Sequence, residues 1–370
     1  MTGQTPSRMV GQFRPGPAHV GYSLVLLAAL SIFSFQPESS DAAQGTQTPA
    51  PPPDTAARSQ SFASSRPSAP FILGADISWV QQREGEGRQF TDNGAPRDIF
   101  AILRDHGFNW IRLRLFHDPS APKGYSSRGY CDLPHTVAMA KRIKAADMKF
   151  LLDFHYSDTW ADPGKQFKPA AWQDLGFDDL AKALHDYTRD AILEFKRQGT
   201  LPDMVQIGNE INHGFLWPDG TPKDWDRFAA LLKAAIKGVK DADPTIRIML
   251  HVACGGQNEQ SRQFLDSALA RGIEFDLIGE SYYPRWHGTL EDLRSNLNDL
   301  AARYKQDIIV VEYSVPNVRE INDIVHRLPD GKGLGTFIWE PTNGALFDRK
   351  GSAKPELDEY PKMAKDYGKE

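Results

Sequence analysis

Two glutamates stand at or just beyond the ends of short apolar runs, and their type and placement suit acid–base and nucleophilic chemistry. Glu210 follows the run Met204–Ile207, and Glu312 ends a run over residues 307–312. Runs of this kind are typical of strands buried on both faces of a parallel sheet. A charged side chain at such a strand end is costly unless it meets a partner or opens into a cleft. Two carboxyls meeting at one mouth are the groups that glycoside hydrolysis requires.

Charged, polar and aromatic side chains end or follow the other apolar runs, where they would surround the two glutamates. Arg112 and Arg114 are two residues apart, so they lie on one face of their strand. Either one could hold a neighbouring carboxyl ionised, because a nearby cation lowers a carboxyl pKa. The candidate substrate-binding residues are Asp76, Arg112, Arg114, Asp153, His155, Asp158, Trp160, Asn209, His251, Tyr283, Trp286 and Trp339.

Three of these candidates suit particular tasks. Asn209, beside Glu210, can hydrogen-bond a sugar hydroxyl more tightly in the transition state. Tyr283 can donate to the nucleophilic carboxylate and orient it, and Trp339 can form a floor under a sugar ring. Packing in the core is the alternative for both aromatic residues.

Eight apolar runs alternate with eight helical patterns, and these elements must position the side chains. The predicted strands cover residues 71–76, 109–116, 149–155, 204–208, 247–251, 275–281, 307–312 and 333–339. The predicted helices cover residues 95–105, 133–146, 178–197, 225–239, 261–270, 290–304, 318–326 and 356–367. This alternation predicts the α/β class and a (β/α)8 TIM barrel over residues 71–370, with the site at the C-terminal strand ends. The alternative, an open doubly wound sheet, lacks its common phosphate-binding fingerprints here.

The first 70 residues differ in composition from the rest of the chain. Residues 1–43 carry Arg8 and Arg14, then an apolar run over residues 22–35 and small residues, which predicts a signal peptide. An uncleaved anchor is the alternative. Residues 44–70 are rich in Pro, Ala, Ser and Thr, which predicts a disordered linker. We therefore expect a secreted or periplasmic protein that has no membrane contact once the signal is cleaved.

Charge and cysteine content limit the classes of partner. The chain of 370 residues has a formal net charge of −5, which does not favour nucleic acid or an anionic membrane surface. Cys131 and Cys254 are its two cysteines, and the sequence leaves open whether they pair. We expect a monomer whose partner is an oligosaccharide or polysaccharide.

Four motifs resemble those of glycoside hydrolase family 53, the endo-β-1,4-galactanases. The longest is Asp-Phe-His-Tyr-Ser-Asp-Thr-Trp-Ala-Asp-Pro at residues 153–163. The others are Ile-Gly-Asn-Glu-Ile at 207–211 with Trp-Pro at 217–218, Ser-Tyr-Tyr-Pro at 281–284 with Trp-His-Gly at 286–288, and Val-Glu at 311–312. The likeness extends over residues 74–360. It implies a retaining barrel enzyme that acts on β-1,4-galactan, the side chain of pectin, or on type I arabinogalactan.

The resemblance also implies roles for individual residues. Glu210 would be the acid/base and Glu312 the nucleophile. The implied supporting residues are Arg112, Asn209 and Tyr283, with Trp339 as the ring platform and Asp153, His155 and Asp158 shaping the sugar subsites.

Some features depart from the family pattern. Tyr313 follows Glu312 where Thr is usual, and Glu280 stands where an uncharged residue is usual. The segment over residues 313–332 is shorter than the loop in which some bacterial members hold calcium. We therefore do not predict calcium. No metal ligand and no cofactor are predicted elsewhere in the chain.

Rival functions differ in substrate or in chemistry. Another retaining β-glycosidase of the same clan, such as a mannanase, a xylanase or an exo-galactosidase, would use the same two glutamates. A non-catalytic carbohydrate-binding barrel would keep only the cleft. A metal hydrolase is disfavoured because His155, His251 and His287 have no ligand spacing and no His-Glu-x-x-His occurs.

Overall fold

The computed structural model describes residues 70–368, and its centre is a closed barrel of eight parallel strands. The strands are β1 (Ile72–Asp76), β2 (Trp110–Leu115), β3 (Lys149–Phe154), β4 (Met204–Ile207), β5 (Arg247–Val252), β6 (Leu277–Tyr282), β7 (Asp307–Tyr313) and β8 (Gly333–Trp339). Each strand pairs with its chain neighbours, and β1 closes the ring against β8. The predicted (β/α)8 barrel is confirmed.

Helices follow the strands along the chain. They are α1 (Val80–Gly85), α2 (Ile99–Asp105), α3 (Leu133–Ala145), α4 (Phe177–Arg197), α5 (Trp225–Ala242), α6 (Asn258–Ala270), α7 (Pro284–His287), α8 (Leu290–Arg303), α9 (Val318–His326) and α10 (Glu359–Tyr367). The short α1 and α7 were not predicted. Helix α6 begins three residues earlier than expected, and residues 356–358 belong to a 3-10 turn that precedes α10.

The predicted helix over residues 95–105 is wrong in its first part. Ala95–Pro96 is a short strand that pairs antiparallel with Thr91–Asp92. Asn93 and Gly94 join the two strands with φ of 49° and 78°, the conformation that Asn-Gly favours in a tight hairpin. Helix α2 begins only after Asp98, whose side chain accepts hydrogen bonds from two backbone N–H groups of the first turn.

Two apolar cores hold the barrel together. The inner core, inside the strand ring, consists of Ile72, Leu151, Met204, Met249, Leu277, Ile309, Val311 and Phe337. The outer core lies between the strands and the helices and extends around the whole ring. Packed side chains close the barrel interior, so the polar groups described below meet at the C-terminal ends of the strands.

Glu280 of β6 is buried on the side of the barrel wall that faces the helices. Its Oε1 lies 2.7 Å from the Ser261 hydroxyl of α6, and its Oε2 accepts the backbone N–H of Cys254 at 3.2 Å. Within residues 70–368 it has no ion pair, and burial raises the pKa of Glu280 to about 8. The carboxyl is therefore neutral at pH 7, the form in which a buried acid needs no cation beside it.

Replacing Glu280 by glutamine should make stability less dependent on pH. The unfolded carboxyl ionises near its ordinary pKa of about 4.3, whereas the folded pKa is about 8. The contribution of the Glu280 carboxyl to the free energy of unfolding is complete below the unfolded pKa. It decreases by about 1.4 kcal/mol per pH unit as the pH rises towards 8. Urea unfolding at about pH 5 and about pH 8 would measure the free energy of unfolding of both proteins. Between these pH values the variant should become more stable relative to the wild type, and an identical pH dependence of the two would contradict this.

The N-terminal predictions lie outside the described residues. The signal peptide (1–43) and nearly all of the linker (44–70) fall in this part of the chain, so both remain predictions. Within residues 70–368, no helix combines the length and the apolar character needed to cross a membrane.

Candidate active site

A sharp turn at the end of β4 presents Glu210 to the barrel mouth. Gly208 has φ of 76°, and a Cβ there would lie 2.5 Å from the Ile211 side chain. Glu210 itself adopts φ of 51°, the left-handed conformation that costs a non-glycine residue about 1–3 kcal/mol. The side-chain amide of Gln166 supports this turn by donating to the carbonyls of Asn209 and Glu210.

Glu210 and Glu312 meet across the mouth, as their positions at the ends of β4 and β7 predict. One carboxyl oxygen of each lies within 4.8 Å of the other. Both side chains are largely buried. This separation is close to the ~5–5.5 Å of retaining glycosidases and well below the ~6.5–9.5 Å of inverting ones.

Arg112 of β2 joins the ends of several strands through all five of its N–H groups. Nη1 donates to Asp76 at 2.9 Å and to Glu312 at 3.2 Å. Nη2 donates to Asp153 at 2.9 Å and to Asn209 at 2.8 Å, and Nε donates to Gln206 at 3.2 Å. Since a guanidinium has five donors and no acceptor, this side chain is completely used.

The two carboxyls have different surroundings, although burial raises the pKa of both. Glu312 also receives the Arg112 cation and the Tyr283 hydroxyl, the latter at 2.8 Å, and both contacts oppose the rise. For Glu210, burial and the neighbouring Glu312 raise the pKa to about 8, and the Ser281 hydroxyl at 2.7 Å opposes this only in part. Glu312 therefore ionises first, while Glu210 keeps its proton.

A cavity of about 150 Å³ lies over the two carboxyls. Nine of the predicted site residues line it, namely Asp76, Arg112, Arg114, His155, Trp160, Asn209, Glu210, Glu312 and Trp339, together with Ala161 and Asp162. These residues come from several strand ends, and their convergence gives the cavity a polar floor and an aromatic side.

The aromatic side of the cavity is built around Arg114. Its guanidinium carbon lies 4.2 Å from the centre of the Trp160 ring and 5.4 Å from that of Trp79. Trp79 in turn packs against Trp339 with ring centres 5.4 Å apart. Nη1 of Arg114 pairs with Glu340 at 2.8 Å. The tryptophans are thus held around a buried cation.

Five predicted substrate-binding residues do not line the cavity. Asp153 and His251 are fully buried beneath it, and Tyr283 reaches it only through its hydrogen bond to Glu312. The Asp158 carboxylate accepts the backbone N–H groups of residues 118 and 170, so it fixes loops. Trp286 is 65% exposed, outside the cavity. Asp153, Asp158 and His251 thus contact neighbouring protein groups, and their sugar contacts stay predictions.

The prediction omitted three residues that contact the site. Ser281 lies against Glu210, Gln206 bonds Arg112 and Asp153, and Glu340 pairs with Arg114. Ser281 lies within a motif that we identified, and Glu340 directly follows Trp339, so both had a signal. Gln206 interrupts the apolar run of β4, which indicates that it faces the barrel interior.

Within residues 70–368, one group of side chains is close enough together to be considered as metal ligands: Glu210, His251 and Glu312. Both ring nitrogens of His251 already have hydrogen-bond partners, and Glu312 is paired with Arg112. This donor set is engaged by the protein itself, so we assign no metal ligand, and the absence of a metal remains a prediction. The two cysteines, Cys131 and Cys254, are buried free thiols.

A closed (β/α)8 barrel with two carboxyls in different surroundings at its mouth is the arrangement of a barrel-type glycoside hydrolase. The family model described as "Glycosyl hydrolase family 53" matches residues 72–323. The chain belongs to this family and is a glycoside hydrolase.

Two relatives and one solved structure show how similar this chain is to individual proteins. A Niallia circulans protein described as "Uncharacterized protein in bgaB 5'region" is 42% identical over 73% of this chain and 83% of its own length. The Aspergillus niger arabinogalactan endo-β-1,4-galactanase A is 34% identical over 74% of this chain and 86% of its own. The solved family 53 catalytic domain of Ignisphaera aggregans is 36% identical, with a TM-score of 0.73 over 80% of this chain and 97% of its own.

Proposed function

We propose that this chain is a retaining endo-β-1,4-galactanase that cleaves galactan and type I arabinogalactan, the side chains of pectin, by double displacement. The observation that carries the proposal is the pair Glu210 and Glu312, with carboxyl oxygens within 4.8 Å in unlike surroundings. The name of the Aspergillus niger relative supports the substrate.

In the first displacement, ionised Glu312 attacks the anomeric carbon and Glu210 gives its proton to the departing glycosidic oxygen. The carbon–oxygen bond to the leaving sugar breaks as the galactosyl ester of Glu312 forms. In the second, ionised Glu210 takes a proton from water, which attacks the same carbon and releases Glu312. Two inversions leave the configuration unchanged.

The neighbours of the two glutamates support these roles. The Arg112 contact at 3.2 Å and the Tyr283 hydroxyl at 2.8 Å hold Glu312 ionised and fixed for attack. Asn209 Oδ1 is occupied by Arg112, and its Nδ2 donates to the Ala161 carbonyl at 2.9 Å. These contacts fix the turn before Glu210. Asn209 also lines the cavity, where its amide is expected to hydrogen-bond a sugar hydroxyl, and Trp339 offers a ring face to the sugar.

Substrate choice and stereochemistry test the proposal. Linear β-1,4-galactan should release oligosaccharides, whereas mannan and xylan should release little reducing sugar. Proton NMR of the first products should show the β-anomer before mutarotation. An initial α-anomer would rule out double displacement, and a preference for mannan or xylan would point to another activity of the same clan. Binding of galactan without release of reducing sugar would identify a non-catalytic barrel.

The decrease of kcat/KM at high pH should follow the ionisation of Glu210. Burial, with Glu312 nearby, raises the pKa of Glu210 to about 8, and an acid catalyst is lost when it ionises. We expect kcat/KM on galactan to fall about tenfold per pH unit above pH ~8. The apparent value belongs to the interacting pair. A profile that stays level to pH ~10 would contradict the acid role of Glu210.

Export and assembly are further proposals. The composition of residues 1–43 supports a cleaved signal peptide and a secreted or periplasmic enzyme. Fractionation of producing cells and N-terminal sequencing of the mature protein would test this. Light scattering should give the mass of a monomer.

A further inference from the structure

A chain of hydrogen bonds leads from Glu210 into the barrel, away from the cavity. Glu210 Oε1 lies 2.7 Å from the Ser281 hydroxyl, which lies 2.8 Å from Nε2 of His251. On the other side of the ring, Nδ1 lies 3.0 Å from Asn209 Oδ1 and 3.3 Å from the backbone nitrogen of Glu210. Ser281 and His251 are fully buried, so water does not satisfy these groups.

The orientation of Asn209 is fixed by its other partners. Its Oδ1 accepts from Arg112 at 2.8 Å and from Gln206 at 3.3 Å, while its Nδ2 donates to the Ala161 carbonyl. Towards His251 the amide therefore always presents an acceptor. The backbone N–H of Glu210 presents a donor to the same ring nitrogen. Nδ1 donates to Asn209 Oδ1 when it carries a proton, and it accepts the Glu210 N–H when it does not.

His251 is a neutral imidazole with one N–H to place. Burial and the Arg112 cation hold the pKa of His251 well below its usual range. When Glu210 Oε1 is protonated, it donates to Ser281 Oγ, the serine hydroxyl donates to Nε2, and Nδ1–H donates to Asn209. All three hydrogens then have acceptors.

When Glu210 is ionised, the same four groups balance only in the opposite direction. Nε2–H donates to Ser281 Oγ, and the serine hydroxyl donates to the Glu210 carboxylate. Nδ1 is then bare and accepts the backbone N–H of Glu210 after a small tilt of the ring. Asn209 Oδ1 keeps its bonds from Arg112 and Gln206. The two arrangements differ by one proton. Glu210 loses the Oε1 proton to the solvent of the cavity that it lines, and the single ring hydrogen of His251 moves from Nδ1 to Nε2.

We propose that Ser281 and His251 form a reversible hydrogen-bond relay, with His251 carrying its proton on Nδ1 when Glu210 Oε1 is protonated and on Nε2 when Glu210 is ionised. Both are positioning residues, since neither lines the cavity. The relay keeps the Ser281 hydroxyl and both ring nitrogens of His251 paired in either state, whereas an unpaired buried group would cost about 1–3 kcal/mol. The backbone N–H of Glu210 has its ring acceptor only in the ionised state. Its value for turnover rests on the proposed function, in which Glu210 alternates between acid and base.

The surrounding charged groups belong to several elements packed against the relay. They are Arg112 of β2, Asp153 of β3, His155 and Asp162 of the loop after β3, Glu312 of β7, and Tyr283 and His287 after β6. Among them Glu312 is the group whose ionisation acts on Glu210 most directly. The switch must therefore be followed at His251 itself and compared with a chain in which Glu210 cannot ionise.

The test is the tautomer of His251 in the free protein, read from long-range ¹⁵N–¹H spectra of the histidine-labelled chain. Between about pH 6 and pH 10, we expect the spectrum of this ring to change from the Nδ1–H to the Nε2–H pattern, with the midpoint of Glu210 ionisation. Glu210→Gln should hold one tautomer throughout, and Ser281→Ala should uncouple the ring from Glu210. The latter variant also assigns the His251 signals among ten histidines.

Kinetics provide a second readout. Loss of the Ser281 hydroxyl removes a hydrogen bond to the charged form of Glu210, so the basic limb of kcat/KM should move up by about one pH unit in Ser281→Ala. Ser281→Thr, which keeps the hydroxyl, should restore it. One tautomer throughout the wild-type titration, or the same switch in Ser281→Ala, would overturn the relay. A wild-type switch together with a fully active Glu210→Gln variant would keep the relay and reject the acid/base role instead.

Discussion

Glu312→Gln should lower kcat/KM on β-1,4-galactan by about 10⁴-fold or more, the largest effect expected of any single substitution in this chain. The glutamine amide keeps the shape of the side chain and can still accept from Tyr283. It cannot form the galactosyl ester. It also places a neutral amide where the carboxylate now accepts from Arg112 at 3.2 Å. Initial rates on linear galactan would measure the loss.

Glu280→Gln is the matched control for this variant. It makes the same chemical change at a buried glutamate of the adjacent strand, on the side that faces the helices. We expect it to keep near wild-type activity at pH ~7. Thermal unfolding of both variants would exclude misfolding. Equal loss of activity in the two variants, or substantial activity in Glu312→Gln, would contradict the nucleophile assignment.

The alanine variant of the same residue allows a chemical rescue. In Glu312→Ala, azide can enter the space of the missing carboxylate and attack the anomeric carbon directly. The product should be a galactosyl azide of inverted configuration, because only one displacement takes place. Formation of the β-azide would argue that another group is the nucleophile.

Glu210→Gln should produce a loss that depends on the leaving group. With galactan, whose leaving hydroxyl needs a proton, we expect kcat/KM to fall by about 10²–10⁴-fold. With a dinitrophenyl galactoside, whose leaving group needs no proton, the first displacement should remain fast. The second should be slow because no base activates water, so a burst of dinitrophenol should precede a slow steady state.

The activated substrate serves as the internal control for this variant. A fold defect would slow both substrates equally, whereas loss of an acid/base group separates them. Azide should accelerate the slow phase and give the β-azide, since it needs no general base. An equal loss on both substrates with no burst would contradict the acid/base role.

The sequence predicted the barrel and the carboxyl pair because both depend on alternation along the chain. Apolar runs of strand length between helical patterns define the ring, and its C-terminal face collects whatever follows each strand. Glu210 and Glu312 follow β4 and β7, so the prediction that they meet needed no side-chain detail. The same reasoning brought Arg112 to Glu312.

The sequence could not predict how far below the barrel mouth each inward-facing side chain lies. Asp153, Gln206 and His251 face inward, yet they lie beneath the cavity and not along it. Which layer a side chain occupies depends on the stagger between strands, and strand alternation does not encode this stagger. The face of the strand on which a side chain lies is easier to predict from the sequence. Glu280 and Ser281 are neighbours, so they must face opposite sides of β6. The hairpin at Asn93 was missed although Asn-Gly is its usual turn.

Closure of β1 against β8 means that the first and last strands build one wall of the site. Asp76 pairs with Trp339, and its carbonyl accepts the N–H of Glu340 at 2.9 Å. A polypeptide truncated before Gly333 would contain both glutamates and all of the family match, yet its β1 would have no partner on one side. Such a fragment should be inert and prone to aggregate through its open edges. During translation, catalytic competence can therefore arise only after the ribosome has released the eighth strand.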